Sequence, residues 1–175
     1  MGRKVCIFCG ANTGSSNQIT KHVKELCDRL VDLDFDLVYG GGKTGLMGII
    51  ANIFLQNGKE VIGVRPNKLI QDEDAHQGLK TLIVTESMQH RKAKMIELSD
   101  LFIALPGGVG TLDEIIETYT LLKIGFIDKP SAILNTDSYY EGLKKLLDNM
   151  VTHQFLDQQN QSKLVFASTP VELLT

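Results

Sequence analysis

Short apolar runs alternate along the chain with longer segments in which apolar residues recur every three or four positions. The short runs have the length of strands, and the longer segments have the period of amphipathic helices. The pattern predicts strands at residues 5–9, 36–39, 60–64, 81–84, 101–105, 131–134 and 163–167. Strands that alternate with helices in this way are typical of a parallel sheet whose strands are joined by crossover helices.

The helical segments carry apolar stripes that would bury one face of each helix against a sheet. The stripes are Ile19, Val23, Leu26, Cys27, Leu30 and Val31; Leu46, Ile49, Ile50, Ile53 and Phe54; and Tyr139, Leu143, Leu146, Leu147 and Met150. The second helix should begin near Gly45 and end at Asn57 and Gly58, and a short last helix should open at Pro170. We therefore predict one doubly wound, Rossmann-like α/β domain over residues 1–175, with a mostly parallel sheet of about seven strands.

Composition limits the classes of partner. The 175 residues include 18 Lys and Arg against 21 Asp and Glu, for a net charge of -3, and 43% of them are apolar. This balance favours a globular domain with a sizeable core and argues against binding to nucleic acids or anionic membranes. No apolar run approaches the roughly 20 residues of a membrane span, and the run near Met1 is too short for a signal peptide. Three cysteines, an odd number, indicate reduced thiols and a cytoplasmic location.

Glycine-rich loops follow three of the predicted strands. Residues 10–14 read GANTG, residues 40–45 read GGGKTG and residues 106–111 read PGGVGT. In a doubly wound fold, ligands lie beyond the carboxyl ends of the strands, which is where these loops fall. Glycine allows the backbone to approach a ligand closely, and the N–H groups at the start of the following helix attract a phosphate. Three such loops at one sheet edge predict a phosphate-bearing ligand.

Two common nucleotide-binding motifs are disfavoured. Residues 40–45 fit G-x-G-x-x-G, but Arg65 lies at the end of the next strand, where a dinucleotide-binding fold has an acidic residue for the ribose. Residues 42–44 resemble the end of a P-loop, but Leu37 stands where that motif has its first glycine. The sequence therefore predicts neither an NAD-binding protein nor a Walker-type NTPase.

Metal and redox sites are not predicted either. Cys6 and Cys9 form C-x-x-C, but in a strand they point to opposite faces about 10 Å apart, which is too far for a disulfide. The longest predicted loop contains four potential metal ligands, Asp72, Glu73, Asp74 and His76. No second set of ligands is in view, so a solvated loop is a better interpretation than a metal site. We expect no metal ion and no cofactor.

A carboxylate pair and a basic segment belong to the same predicted edge. Glu114 and Glu117 lie one turn apart on one face of the helix that follows the third glycine loop. Residues 88–95, MQHRKAKM, form a basic helix after the strand at residues 81–84. Both features have ordinary structural explanations, because glutamate stabilises helix N-termini and basic runs often face solvent. A cation at this edge can instead hold a phosphate or a carboxylate.

Taken together, these motifs resemble the Lonely Guy family, the cytokinin riboside 5'-monophosphate phosphoribohydrolases, whose members were often labelled lysine decarboxylases. The family's P-G-G-x-G-T-x-x-E matches residues 106–114, and further matches are GGGKTGLMG at residues 40–48 and HQGL at residues 76–79. The resemblance extends from residues 5–10 to residues 129–140. The decarboxylase label has no chemical support, because no lysine lies in a recognisable setting for pyridoxal phosphate.

The resemblance implies which residues act. The family usually has M-H-E-R-K where this chain has Met88, Gln89, His90, Arg91 and Lys92. It implies that Met88 lies against the base and that Arg91 and Glu114 are the catalytic pair. Backbone N–H groups of residues 107–111 would bind the 5'-phosphate. The candidate substrate-binding residues are Gly10, Gly41, Gly42, Met88, Lys92, Gly107, Gly108, Gly110, Thr111 and Glu117.

The implied reaction is hydrolysis of the N-glycosidic bond of a purine nucleoside 5'-monophosphate of the N6-substituted, cytokinin type, which releases the base and ribose 5-phosphate. Its oxocarbenium-like transition state needs negative charge near the anomeric carbon and a positioned water, and Glu114 can supply both. The resemblance also implies a homodimer. A run of apolar residues agrees with an interface: Tyr119, Leu121, Leu122, Ile124, Phe126 and Ile127.

Two alternatives stay open at the level of sequence. One is a general AMP nucleosidase without a cytokinin role, because the packing around the N6 position of the base cannot be read from sequence. The other is a non-catalytic nucleotide-binding or carrier module of the same fold. Glu114 together with Arg91 argues against the carrier, because a protein that only binds has little need of a carboxylate beside a phosphate.

Overall fold

The strands of the protein lie where the apolar runs predict them, with ends that differ by one or two residues. The computed structural model describes residues 2–70 and 76–175, so Asp72, Glu73 and Asp74 of the predicted solvated loop lie outside the described residues. The strands are β1 (Arg3–Phe8), β2 (Phe35–Tyr39), β3 (Val61–Pro66), β4 (Thr81–Thr85), β5 (Leu101–Ala104), β6 (Ser131–Leu134) and β7 (Leu164–Ala167).

The helices connect these strands in alternation. They are α1 (Asn17–Asp32), α2 (Gly45–Gln56), α3 (Asn67–Ile70), α4 (Met88–Leu98), α5 (Val109–Lys123), α6 (Glu141–Thr152), α7 (Gln158–Gln161) and α8 (Pro170–Leu173), with a 3-10 turn at Thr136–Ser138. Among the described residues, no helix is both long enough and apolar enough to cross a bilayer.

The seven strands form one sheet in the order β4-β3-β2-β1-β5-β6-β7. All neighbouring pairs run parallel, and β1 lies between β2 and β5, with Val5 opposite both Leu37 and Leu101. The chain therefore winds outward from β1 to one edge and then returns to β5 to build the other half. This reversal confirms the doubly wound α/β prediction, and it makes the β1–β5 crevice the topological switch point, where such folds bind ligands.

Both faces of the sheet are covered, which explains why its strands are nearly continuous apolar runs. Val5 and Ile7 belong to a core shared with α1 and α2, whereas Cys6 and Phe8 belong to a second core on the opposite face. Cys9, just after β1, packs against the first core, so the prediction that Cys6 and Cys9 point to opposite faces is confirmed. The thiols of Cys6, Cys9 and Cys27 are all free.

The predicted helix faces are confirmed for α1 and α2 and corrected for α6. The α1 stripe is buried except for the half-buried Val31, and α2 begins at Gly45 and ends just before Asn57 and Gly58. In the third stripe, Leu147 is buried but Tyr139 and Leu146 are half exposed. The helix begins only at Glu141, so Tyr139 belongs to the preceding turn, where a contact with a distant loop sets its direction.

Candidate active site

A cavity of about 660 Å³ opens at the carboxyl ends of the central strands, at the switch point between β1 and β5. Its walls are the first glycine loop, the third glycine loop and side chains from β3, α2, α4 and α5. The lining side chains include those of Met47, Arg65, Met88, Arg91 and Glu114. A volume of this size is in the range that holds a nucleotide-sized ligand.

The third glycine loop packs tightly on both sides. The N–H group of Gly10 donates to the carbonyl of Pro106 at 3.2 Å, which joins the first and third glycine loops across β1 and β5. A Cβ atom at Gly107 would overlap Thr111 Oγ1, so only glycine fits there. Gly108 is the N-cap of α5, and no side chain caps the helix. The first N–H groups of α5 and the positive end of its dipole therefore lie at the cavity, where they can bind an anion.

The first glycine loop also contacts the start of α2. Gly45, the first residue of α2, has φ +57, and a Cβ atom there would overlap the backbone carbonyl of Ala11. This contact between two backbones places the 10–15 loop against α2, and it requires glycine both for its conformation and for its lack of a side chain.

An ion pair between α4 and α5 lies in the cavity wall. Arg91 Nη1 is 2.6 Å from Glu114 Oε1, and the two side chains are only 11% and 9% exposed. Arg91 Nε also donates to the carbonyl of Val64 at 2.9 Å, at the end of β3. A Cβ atom at Gly40 would lie 2.7 Å from Arg91 Nη2, so the second glycine loop makes room for this guanidinium. Short charge-assisted bonds of this kind fix both side chains in one orientation.

Burial changes the acidity of Glu114. Removal from water raises the pKa of its carboxyl above the ordinary glutamate value, and the charge and hydrogen bond of Arg91 offset only part of the increase. Glu114 can therefore ionise beside a cation and still remain a better proton acceptor than an exposed glutamate. Such a shift in a cleft is typical of catalytic carboxylates.

A second ion cluster joins α4 to α5 one turn away. Lys92 Nζ lies 2.9 Å from Asp113 Oδ2 and 2.6 Å from Glu117 Oε2. Hydrogen bonds to Asp113 and then to Glu117 raise the pKa of Lys92. This cluster does not line the cavity, and it holds together the two helices that carry Arg91 and Glu114.

The structure brings most of the predicted site residues to one place and leaves four outside the wall. Those that line the cavity are Gly10, Met88, Arg91, Gly107, Gly108, Gly110, Thr111 and Glu114. Gly41, Gly42, Lys92 and Glu117 do not line it. A Cβ atom at Gly41 would lie 2.9 Å from Arg65 Cγ, and one at Gly42 would lie 2.8 Å from Met47 Cε. These two glycines make room for side chains that do line the cavity.

Sequence reasoning missed two prominent lining residues. Arg65, at the end of β3, is 1% exposed, and its Nη1 donates to the carbonyl of Gly41 at 3.4 Å. Its position after a buried strand at the ligand edge is the signal that the sequence offers, but Arg65 entered the prediction only as evidence against an NAD-binding site. Tyr139 was assigned to a helix face, yet its hydroxyl donates to the carbonyl of Gly107 at 2.6 Å. Within residues 2–70 and 76–175, no three His, Cys, Asp or Glu side chains converge as metal ligands would.

Several known proteins are similar to this chain in sequence. The family described as possible lysine decarboxylase matches residues 47–175. The probable cytokinin riboside 5'-monophosphate phosphoribohydrolase LOGL6 of Oryza sativa subsp. japonica is 40% identical over 98% of this chain and 69% of its own length. The cytokinin riboside 5'-monophosphate phosphoribohydrolase LOG3 of Arabidopsis thaliana is 38% identical over 98% of this chain and 80% of its own length.

Solved structures share the fold at lower identity. The molybdenum cofactor binding protein from Rippkaea orientalis has a TM-score of 0.70 at 20% identity, covering 98% of this chain and 93% of that chain. The Moco carrier protein from Chlamydomonas reinhardtii has a TM-score of 0.69 at 17% identity, covering 98% of this chain and 93% of that chain. At these identities the likeness concerns the fold alone. The sequence relatives, by contrast, extend over nearly the whole chain, and on that basis the protein belongs to the Lonely Guy family of phosphoribohydrolases, which are N-glycosyl hydrolases.

Proposed function

We propose that the protein hydrolyses the N-glycosidic bond of purine nucleoside 5'-monophosphates with N6-substituted, cytokinin-type bases, giving the free base and ribose 5-phosphate. The observation that carries the proposal is the Arg91–Glu114 pair in the cavity wall, one turn along α5 from an uncapped glycine loop. A phosphate site and a carboxylate of raised pKa on the same helix are the two elements that this reaction requires.

The 5'-phosphate binds to the N–H groups at the start of α5. Residues 110 and 114 are separated by about 6 Å along the helix axis. A nucleoside 5'-monophosphate likewise separates its phosphate from its anomeric carbon by the length of one ribose and its 5'-methylene group. A phosphate held at the glycine loop therefore brings the anomeric carbon close to the carboxylate of Glu114.

Glu114 and Arg91 divide the chemistry between them. As the bond to the base breaks, positive charge develops on the ribose, and the ionised carboxylate of Glu114 stabilises it and orients the attacking water. Arg91 stabilises the negative charge that develops on the departing base. Met88 packs against the base, while Gly41, Gly42, Lys92 and Glu117 support the wall from behind.

The test is a chromatographic assay of purified protein with AMP and with N6-isopentenyl-AMP, without added metal, that measures free base and ribose 5-phosphate. We expect both products, with a higher kcat/KM for the N6-substituted nucleotide. Equal or higher kcat/KM for AMP would favour the general AMP nucleosidase. Binding of both nucleotides without release of base would favour the carrier module and overturn the proposal.

The acid limb of the pH profile should reflect the raised pKa of Glu114. The carboxylate must be ionised to act, so kcat/KM, which reports groups of the free enzyme, should fall as the pH falls through that pKa, at a higher pH than for an exposed glutamate. Arg91→Met removes an influence that lowers the pKa, so a carbon NMR titration of the Glu114 carboxyl should move to still higher pH in this variant. An acid limb at the ordinary glutamate pKa would contradict this assignment.

We further propose a homodimer whose interface borders the cavity. Of the apolar run predicted for the interface, Tyr119 is buried, whereas Ile124 and Phe126 are exposed. The first turn of α5 adds exposed apolar groups, with Val109 87% exposed and Leu112 38% exposed. Surfaces of this kind support association between chains.

Light scattering at micromolar concentration should give twice the mass of a single chain. Because Leu112 lies at the proposed interface, Leu112→Glu should lower this mass toward that of one chain. A monomeric mass for the unaltered protein would overturn the dimer.

A further inference from the structure

The carbonyl groups of Leu105, just before the third glycine loop, and of Pro106 and Gly107, its first two residues, all accept hydrogen bonds from other segments of the chain. The donors are the hydroxyl of Tyr140 for Leu105 (2.8 Å), the N–H group of Gly10 for Pro106 (3.2 Å) and the hydroxyl of Tyr139 for Gly107 (2.6 Å). The next carbonyl, that of Gly108, accepts from Leu112 inside α5. The carbonyl groups of this stretch are therefore already engaged by the protein. Because Leu105 N–H bonds to Phe8 and Pro106 has no N–H group, the N–H groups of Gly107 and Gly108 are the donors left for a ligand.

The bond from Tyr139 determines the direction of one particular donor. The carbonyl of Gly107 and the N–H group of Gly108 belong to the same planar peptide unit and point in opposite directions. A hydroxyl that holds the carbonyl on one side therefore holds the N–H group on the other. Because glycine flanks this peptide on both sides, the backbone preferences of its own residues do not fix its orientation, and a bond from outside the loop does so.

The segment that carries Tyr139 is held in a costly conformation. Asp137 and Ser138 have φ +55 and φ +56, left-handed conformations that are unfavourable for residues with a side chain and that such residues rarely adopt. Contacts with the start of α1 stabilise the turn: Asp137 bonds to Ser16, the N-cap of α1, and His22 Nδ1 lies 2.8 Å from Thr136 Oγ1.

The turn also bonds to itself, since Asn135 Oδ1 accepts from the N–H group of Tyr140 at 2.7 Å. Tyr140 is buried, whereas Tyr139 is 50% exposed and lines the cavity. The turn thus presents one tyrosine to the core and the other to the site.

We propose that Tyr139 is a positioning residue of the phosphate subsite, whose hydroxyl orients the Gly107–Gly108 peptide so that the N–H group of Gly108 faces the 5'-phosphate. This inference rests on the proposed function, because it requires a ligand with a phosphate at the start of α5. The hydroxyl proton is used in the bond to Gly107, so Tyr139 acts on the ligand through Gly108. Without the hydroxyl, the peptide can rotate and turn a carbonyl toward the phosphate.

The test compares Tyr139→Phe with the parent protein by calorimetric binding of AMP and of adenosine and by steady-state kinetics. The ring stays, so its edge contact with Tyr140 is kept. We expect the Kd and KM for AMP to rise about tenfold, with little change in kcat or in the Kd of adenosine, which has no phosphate. Tyr119→Phe is the matched control, because that hydroxyl bonds to the carbonyl of Asn160 outside the cavity wall.

Three results would decide against the inference. An unchanged Kd for AMP in Tyr139→Phe would overturn it, and so would an equal loss for AMP and adenosine, since that would indicate a general effect on folding. Absence of AMP binding to the parent protein would overturn it together with the proposed function. If the parent binds AMP without hydrolysing it, only the proposed function fails, because the phosphate-dependent difference between AMP and adenosine still tests Tyr139.

Discussion

Replacement of Glu114 by Gln is expected to lower kcat for nucleoside 5'-monophosphate hydrolysis by about 10³-fold or more while leaving the Kd of the nucleotide within a few-fold of the parent value. The amide has the same shape and can still meet Arg91 Nη1 through its oxygen, so the wall of the cavity should persist. It carries no negative charge to stabilise the ribose cation and accepts no proton from the attacking water.

The measurement combines single-turnover kinetics with calorimetric binding of the same nucleotide. Glu97→Gln is a matched control on α4, because Glu97 pairs with Lys94 at 2.7 Å on the exposed surface, and we expect it to change kcat by less than twofold. Full activity in Glu114→Gln would show that another group performs the chemistry. Loss of both binding and activity would show instead that the ion pair is structural.

Gly45→Ala is expected to lower the free energy of unfolding by about 3 kcal/mol or more. The new methyl group would overlap the backbone carbonyl of Ala11, and neither backbone can move away without displacing α2 or the first glycine loop. The residue would also be held at φ +57, which by itself costs roughly 1–2 kcal/mol for a residue with a side chain.

Gly58→Ala separates these two costs. Gly58 has φ +71, but a Cβ atom there has no neighbour within 4 Å. Urea denaturation of both variants should therefore give a loss of only about 1 kcal/mol for Gly58→Ala, which measures the conformational cost alone. Equal losses in the two variants would mean that the 10–15 loop moves freely, and that contact with α2 does not define the cavity.

The strands could be predicted from local sequence because a strand that is buried on both faces consists almost entirely of apolar residues. The glycine loops could also be predicted locally. Residues 5–8 of β1 are apolar without interruption, since two cores cover them. The need for glycine in the third glycine loop is also local, because a Cβ atom at Gly107 would overlap Thr111, only four positions away.

Other features depend on contacts between distant segments. The periodicity predicts that Tyr139 lies on a helix face. Its direction is instead set by the bond from its hydroxyl to the carbonyl of Gly107, which is 32 positions away. The burial of Arg65 depends on the missing side chain of Gly41, in the loop that follows a different strand. Lys92 and Glu117 were expected to meet substrate, but they meet each other because α4 packs beside α5. Pairing between helices does not follow from the period of either one.

The lining of the cavity comes from segments between Cys9 and Tyr139, on both sides of the switch point. No short part of the chain contains the whole site, so local unfolding of either half of the sheet would abolish ligand binding. A ligand that binds only the folded chain therefore stabilises every strand at once, in proportion to the logarithm of its concentration above Kd. Because proteases act on opened chains, the lifetime of this protein in a cell should lengthen when its nucleotide is abundant, which couples the amount of enzyme to the supply of its substrate.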